Sequence, residues 1–215
     1  MPIHRPTIGE QVADSIRRLA WEGALPAGSR LNQEELAAQL GVSRIPVRDA
    51  LMALEREGLV RMRPNRGAYL NPLDEEATRD HYALFGVIYA FALERAADRT
   101  DEESLAQLIA CAQDAGRMKD NDALQVATTE FWRLAVQEGG SPRLRAVSRS
   151  LTSLVPGNFF DEIPGAAART RRSMKKIASA LSERDGRAAA KVCQSLMEEQ
   201  GGLVVGIMRS RGLYE

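Results

Sequence analysis

The stretch Ser43-Arg44-Ile45-Pro46-Val47-Arg48 sets two guanidinium groups four residues apart. On a helix that spacing puts both on one face, one turn from each other. A guanidinium donates parallel N–H bonds in a planar fork, which suits a phosphate or the O6/N7 edge of guanine. Ser43 stands where a helix would begin, an end that also favours phosphate. Further on, Asn65-Arg66-Gly67 follows Arg61 and Arg63, so a second basic cluster falls in a short turn. Any one of these arginines reads as a solvated surface residue. Together they read as a DNA-contacting surface made of Ser43, Arg44, Ile45, Pro46, Arg48, Asn65, Arg66 and Gly67.

Other chemistries find little support. The sequence has no Walker A loop, no G-x-G-x-x-G, no HExxH and no CxxC. Its two histidines are His4, in an N-terminal tail, and His81, at a helix opening. Neither is set beside a nucleophile, so no enzyme is expected. Cys111 and Cys193 are far apart and form no disulfide framework, which fits a reducing cytoplasm. The longest apolar run, Tyr82–Leu93, is twelve residues. A membrane span needs roughly 20, so this run reads as a buried helix segment.

Net charge is zero, yet it is unevenly placed. Residues 43–68 hold six Arg against three acids, while residues 73–215 carry 19 basic and 21 acidic groups. The positive charge is thus concentrated where the DNA-like spacing is found.

The elements that position these groups follow from caps and periodicity. Hydrophobic residues make up 44% of the 215 residues and aromatics only 5%, with Ala, Leu and Arg abundant, which favours helices. Thr7 can cap a helix over 8–22, and Gly23 stops it. LPAGSRL reads as a turn-rich connector. Short helices are expected over 33–40 and from Ser43 to about Glu57, with Ser43 as N-cap and Gly41 in the turn between them. Val47, Ala50, Leu51 and Leu54 form the buried stripe of the second, leaving Arg44, Ile45, Arg48 and Met52 outward. Two strands, 59–63 and 68–70, form a hairpin. Beyond Asp74 the pattern changes to about six long helices, over 75–99, 102–118, 122–138, 142–155, 165–183 and 186–209. The expected architecture is therefore mostly α, with a winged helix-turn-helix over 1–72 and an all-helical bundle over 73–215.

IRRLAWEGALPAGSRLNQEELAAQLGVSRIPVRDALMALEREGLVRMRPNRGAYL resembles the winged helix of the GntR family of bacterial transcription regulators. The resemblance implies that Ser43, Arg44, Pro46, Val47 and Arg48, with Asn65, Arg66 and Gly67 of the wing, contact DNA. The family often has Thr where this chain has Ile45.

The second half resembles the FCD effector domain of the FadR-like subgroup, VanR branch, through EFWRLAVQEGGSPRL and RSMKKIASALSERD. Many such domains bind a divalent metal through one Asp and three His. In this register those positions are Thr128, Trp132, Met174 and Leu196, so no metal and no other cofactor is expected. The resemblance leaves a pocket for a small organic effector, lined by Phe85, Tyr89, Thr128, Trp132, Arg171, Met174, Lys175 and Leu196. Taken singly, each apolar member reads first as core filling, and the basic ones as a solvated helix face. The whole then implies a cytoplasmic homodimer that binds a pseudo-palindromic operator, most simply as a repressor under effector control. The alternative is a constitutive DNA-binding protein whose bundle only dimerises.

Overall fold

The computed structural model describes residues 7–72, 74–151 and 154–214, apart from the side chain of Ser150. His4, expected in an N-terminal tail, lies outside these residues. The chain resolves into two compact units. One holds the chain up to Glu75, a short stretch ending at Gly157, and the chain from Met208 on; the other holds Glu76–Leu151 and Asn158–Ile207.

In the first unit, α1 (Ile8–Trp21) starts on a capping box. The Glu10 backbone N–H donates to Thr7 Oγ1 at 3.2 Å, and the Thr7 N–H donates to Glu10 Oε2 at 2.6 Å. Two donors that the first turn leaves unsatisfied are thereby used. The connector expected to be all turn contains a two-residue strand, β1 (Arg30–Leu31). After α2 (Gln33–Leu40) and α3 (Arg44–Arg56) come β2 (Val60–Arg63) and β3 (Gly67–Leu70). The sheet order is β1-β3-β2, antiparallel throughout, with Arg30 opposite Tyr69 and Leu31 opposite Ala68. The partner of β1 lies far along the chain, so no local pattern in LPAGSRL announces it.

Ile16, Leu31, Leu36, Val47, Leu51, Leu54, Val60, Ala68 and Leu70 close one core. Burying a large aliphatic side chain is worth about 1.5–3 kcal/mol, so this cluster supplies most of the drive to dock α3. Arg17 adds a two-pronged ion pair to Glu57, the C-cap residue of α3, at 2.7 and 2.8 Å. Trp21 is buried at the end of α1 beneath the Arg211 guanidinium, 4.8 Å from its ring centroid.

The second unit is helical: α4 (Glu75–Arg99, entering from the first unit), α5 (Glu102–Ala115), α6 (Asn121–Gly139), α7 (Pro142–Ser150), α8 (Phe159–Glu162), α9 (Ala166–Ser182) and α10 (Gly186–Ser210, which leaves it). Asp101, Asp120, Ser141 and Asn158 cap α5 to α8 through side-chain oxygens. Two expectations need correction. The helix expected over 142–155 ends at Ser150. The break expected over Pro156–Pro164 contains the single-turn α8, with Phe159, Phe160 and Ile163 buried. Flanking prolines and Gly157 look like loop punctuation, but the apolar trio between them is drawn into the core. α4 and α6 approach so closely that a Cβ on Gly139 would sit 1.9 Å from the Ala92 carbonyl oxygen. Only glycine fits there, and Arg95 Nε donates to the Gly139 carbonyl at 2.9 Å.

The apolar run Tyr82–Leu93 is also not buried all round. Tyr82, Ala90, Ala92 and Leu93 face inward, while Leu84, Val87 and Phe91 are exposed at 51%, 58% and 47%. Their spacing of three and four residues makes one continuous apolar stripe on α4.

Candidate nucleic-acid interface

The geometry of α3 follows from its buried stripe. Val47, Ala50, Leu51 and Leu54 are each 1% exposed or less. That orientation turns Ile45, at 73%, Met52, and the exposed Arg44 and Arg48 outward. Pro46, in the first turn, is half-buried. Its missing N–H costs nothing there. Gly41, at φ 67°, makes the left-handed turn that swings α3 away from α2. Ser43 occupies the N-cap position with extended backbone, but its hydroxyl makes no cap bond. The expected capping interaction is absent, and the hydroxyl lies on the exposed end of the helix.

Arg44 is held on one side, where its NH1 donates to Glu34 Oε1 at 2.8 Å. Among the described residues, Arg48 and Arg66 are in no ion pair. The wing turn is built by Asn65 (φ 58°) and Gly67 (φ 89°), with the Arg66 N–H donating to the Arg63 carbonyl at 3.0 Å. Asn65 is one of the few non-glycine types that tolerate this region. Arg63 is folded back over the Tyr69 ring at 4.5 Å, whereas Arg61, Asn65 and Arg66 remain exposed. β1 adds a group that the sequence reading missed. The Arg30 guanidinium lies against the wing, 3.5 Å from where a Cβ on Gly67 would be. Only its strand pairing with Tyr69 brings it there.

The surface therefore offers one helix N-terminus, one tethered and one free guanidinium group on that helix, and a basic hairpin tip. Such a set can grip phosphates and present N–H forks to base edges.

The eight candidate effector residues are placed differently. Phe85, Tyr89 and Trp132 form a ring stack, with centroids 5.5 Å apart for the first pair and 4.5 Å for the second. Burial, and to a lesser degree Cys193, pushes the Tyr89 phenol well above its ordinary value. The Thr128 hydroxyl donates to the Leu124 carbonyl at 2.8 Å, within its own helix. Met174 and Leu196 are 0% and 1% exposed. Arg171 faces away from the interior as a clasp, donating to the carbonyls of Met118 and Lys119 and so tying α9 to the α5–α6 loop. Lys175 is exposed, with its stem over Gly116. A committed hydroxyl, an indole, a buried thioether and an isobutyl group do not make a site for a divalent ion. Among the described residues, no three His, Cys, Asp or Glu are grouped to hold one.

The chain's likeness to known proteins follows this division. Residues 8–70 match the model of the gntR family of bacterial regulatory proteins, and residues 80–199 match the FCD domain. An HTH-type transcriptional regulator of Mycobacterium tuberculosis, Rv0043c, is 30% identical over 184 residues, 86% of this chain and 75% of that protein. The transcriptional repressor RspR of Escherichia coli is 30% identical over 101 residues, 47% of this chain and 44% of its own length. Among solved structures, Escherichia coli McbR/YncC aligns over 96% of this chain and 99% of its own, with a TM-score of 0.62 and 19% identity. Lar, which controls expression of the agr system of Listeria monocytogenes, aligns over 93% and 97% with a TM-score of 0.65 and 21% identity. At these identities the structural likeness is one of fold. The family assignment rests on the two family models and the mycobacterial relative: the chain belongs to the GntR family, with an FCD domain behind its winged helix, and is a DNA-binding transcription regulator rather than an enzyme.

Proposed function

We propose that this regulator is a cytoplasmic repressor that works as a homodimer on a pseudo-palindromic operator. Ser43, Arg44, Ile45, Pro46 and Arg48 enter the major groove, and Asn65, Arg66 and Gly67 follow the adjacent backbone. The single observation that carries the DNA-contact assignment is the outward face of α3, where Arg48 stands solvated and unpaired beside the exposed Ile45. A face with that composition has no packing role to explain it. GntR regulators act as dimers, and the apolar stripe Leu84, Val87 and Phe91 on α4 is the surface that a second copy would cover. The repressor role is supported by the name and similarity of RspR.

Two observations bear on effector control, and they favour different readings. An open surface groove of about 500 Å³ between α5 and α6 has an apolar floor of Met118, Ala123, Val126 and Ala127, bordered by Asp114, Asp122 and Glu130, on which an organic ligand could lie. It supports control by a small organic effector. The filled surroundings of Met174, Leu196 and Thr128 favour the second reading, a helical unit that only dimerises. Neither reading uses a metal.

Val87→Asp tests the dimer. It should give a monomer in sedimentation and lower operator affinity by about 100-fold or more, since the linkage of two half-site contacts is lost. A Val87→Asp protein that stays dimeric would remove the α4 stripe from the reading. For the effector, thermal shift against a panel of organic acids and amphiphiles should find a stabilising compound, reaching about 2.7 kcal/mol at a hundredfold excess over its Kd. Stabilisation by Zn, Mn or Ni, with one ion per chain by elemental analysis, would overturn the metal-free reading.

A further inference from the structure

Arg44 is the first residue of α3, and no acidic residue lies in the first turn of that helix. A cation at this position opposes the positive end of the helix dipole. The compensating charge comes from α2. Asn32 caps α2 by accepting the Glu34 backbone N–H at 3.0 Å, and its amide donates to Glu35 at 2.9 Å. With its backbone pinned in this way, Glu34 reaches across the turn to the Arg44 guanidinium at 2.8 Å. Both side chains are open to solvent, 73% and 69% exposed. As a stability device the pair is therefore worth little. It uses one terminal nitrogen of the guanidinium and leaves the other N–H groups of the fork free.

A carboxylate on the DNA-facing side of a regulator repels phosphate. It also draws the one arginine it touches to its side, through a single contact to one guanidinium nitrogen. We infer that Glu34 is a positioning and specificity-determining residue: it holds the Arg44 fork toward a guanine edge and disfavours the use of Arg44 as a phosphate clamp. Arg48, one turn further along and in no ion pair, has no such partner. The two arginines thus differ in restraint and not in reach: Arg44 is tethered to Glu34, whereas Arg48 is free to settle on the base edge one turn further along. This inference rests on the proposal that α3 contacts DNA.

The experiment starts from the full-length protein and a pool of random-sequence duplexes. Wild type, Glu34→Gln, Arg44→Ala and the double variant each select their preferred sequences. Each is then titrated with the wild-type-selected duplex and with mixed-sequence sheared DNA over a range of salt. Glu34→Gln keeps the shape and removes the charge. It should raise affinity for mixed-sequence DNA about three- to fivefold and steepen the slope of log K against log salt by up to about 0.9, one extra phosphate contact. It should also blur the same base position in the selected motif that Arg44→Ala blurs, with the melting temperature unchanged. In the double variant the charge removal should leave the selected motif no further altered. If Arg44→Ala selects the wild-type motif, Arg44 reads no base and the inference fails; the assignment of α3 as the reading helix falls only if Arg48→Ala selects that motif too. If Arg44→Ala alters the motif while Glu34→Gln changes neither motif nor mixed-sequence affinity, Glu34 has no part in specificity and the inference fails. It fails equally if Glu34→Gln acts with the same strength in the absence of Arg44, since the effect would then be general charge alone.

Discussion

In the winged helix, the groups proposed to act stand outside the packing; in the helical unit, most of them are part of it. Arg48 and Arg66 are exposed and in no ion pair among the described residues, and the core beneath them is complete without their side chains. Met174, Leu196 and Thr128 are 5% exposed or less, and Thr128 has given its hydroxyl to a carbonyl of its own helix. A cluster of exposed arginines on one short helix and its wing is not required by the core, whereas a buried apolar residue is fully accounted for by it. That contrast makes the proposed DNA face readable from residue types and leaves the effector site ambiguous. The same substitution to Ala should therefore act on binding in one region and on stability in the other.

The largest separation is expected from Met174→Ala. Removing a fully buried side chain of this size costs about 2–5 kcal/mol. The melting temperature of the helical unit should fall by several degrees, with operator affinity of the folded fraction unchanged. An unaltered melting temperature would mean that the interior is loosely filled there, and would reopen the pocket first expected at this position. Arg48→Ala should show the reverse. Loss of a bidentate base contact is worth roughly 1–3 kcal/mol of discrimination, so a selected operator should bind about 5- to 150-fold more weakly while melting stays the same. Operator titrations that match wild type at equal salt would make α3 an ordinary solvated helix.

Arg66→Ala should have a milder effect that does not depend on sequence. It should lower affinity for every duplex and reduce the salt slope by about one unit. An unchanged slope would remove the wing tip from the interface. The smallest effect concerns protons in the helical unit. Burial pushes the Cys193 thiol and the Tyr89 phenol above their ordinary values of 9.0 and 10.0. The unfolded chain therefore loses these protons first and binds fewer of them, so stability is full below those values and declines as pH rises past them. The urea midpoint should drop slightly between about pH 7.5 and about 9.5, and Cys193→Ala should flatten that drop. A midpoint independent of pH in the wild type would show that this part of the bundle is open to water.

Much of the fold was legible because its signals are local. Thr7 marks the start of α1 by a side-chain oxygen placed three residues before the N–H it accepts. The stripe of α3 and its exposed arginines are likewise adjacent in the chain, so the face proposed to contact DNA was visible as a unit. Three features were hidden because they depend on distant partners. Arg30 joins the wing only through pairing with Tyr69. The α8 turn exists because Phe159, Phe160 and Ile163 find a core to enter. Leu84, Val87 and Phe91 looked buried because a run of apolar residues does not say how many of its sides are covered.

The sequence by itself determined that the chain is mostly helical, that its positive charge gathers at a helix-turn-helix and its wing, and that the second half holds a single histidine, His81. These follow from residue type and spacing, which no folding step can alter. The tertiary structure alone decided which apolar residues are core and which form an open stripe, that Arg171 clasps a loop instead of facing the interior, and that Glu34 reaches Arg44 across a turn. Each of these depends on where elements distant in the chain are brought by packing, and burial is a property of that arrangement, not of the residue.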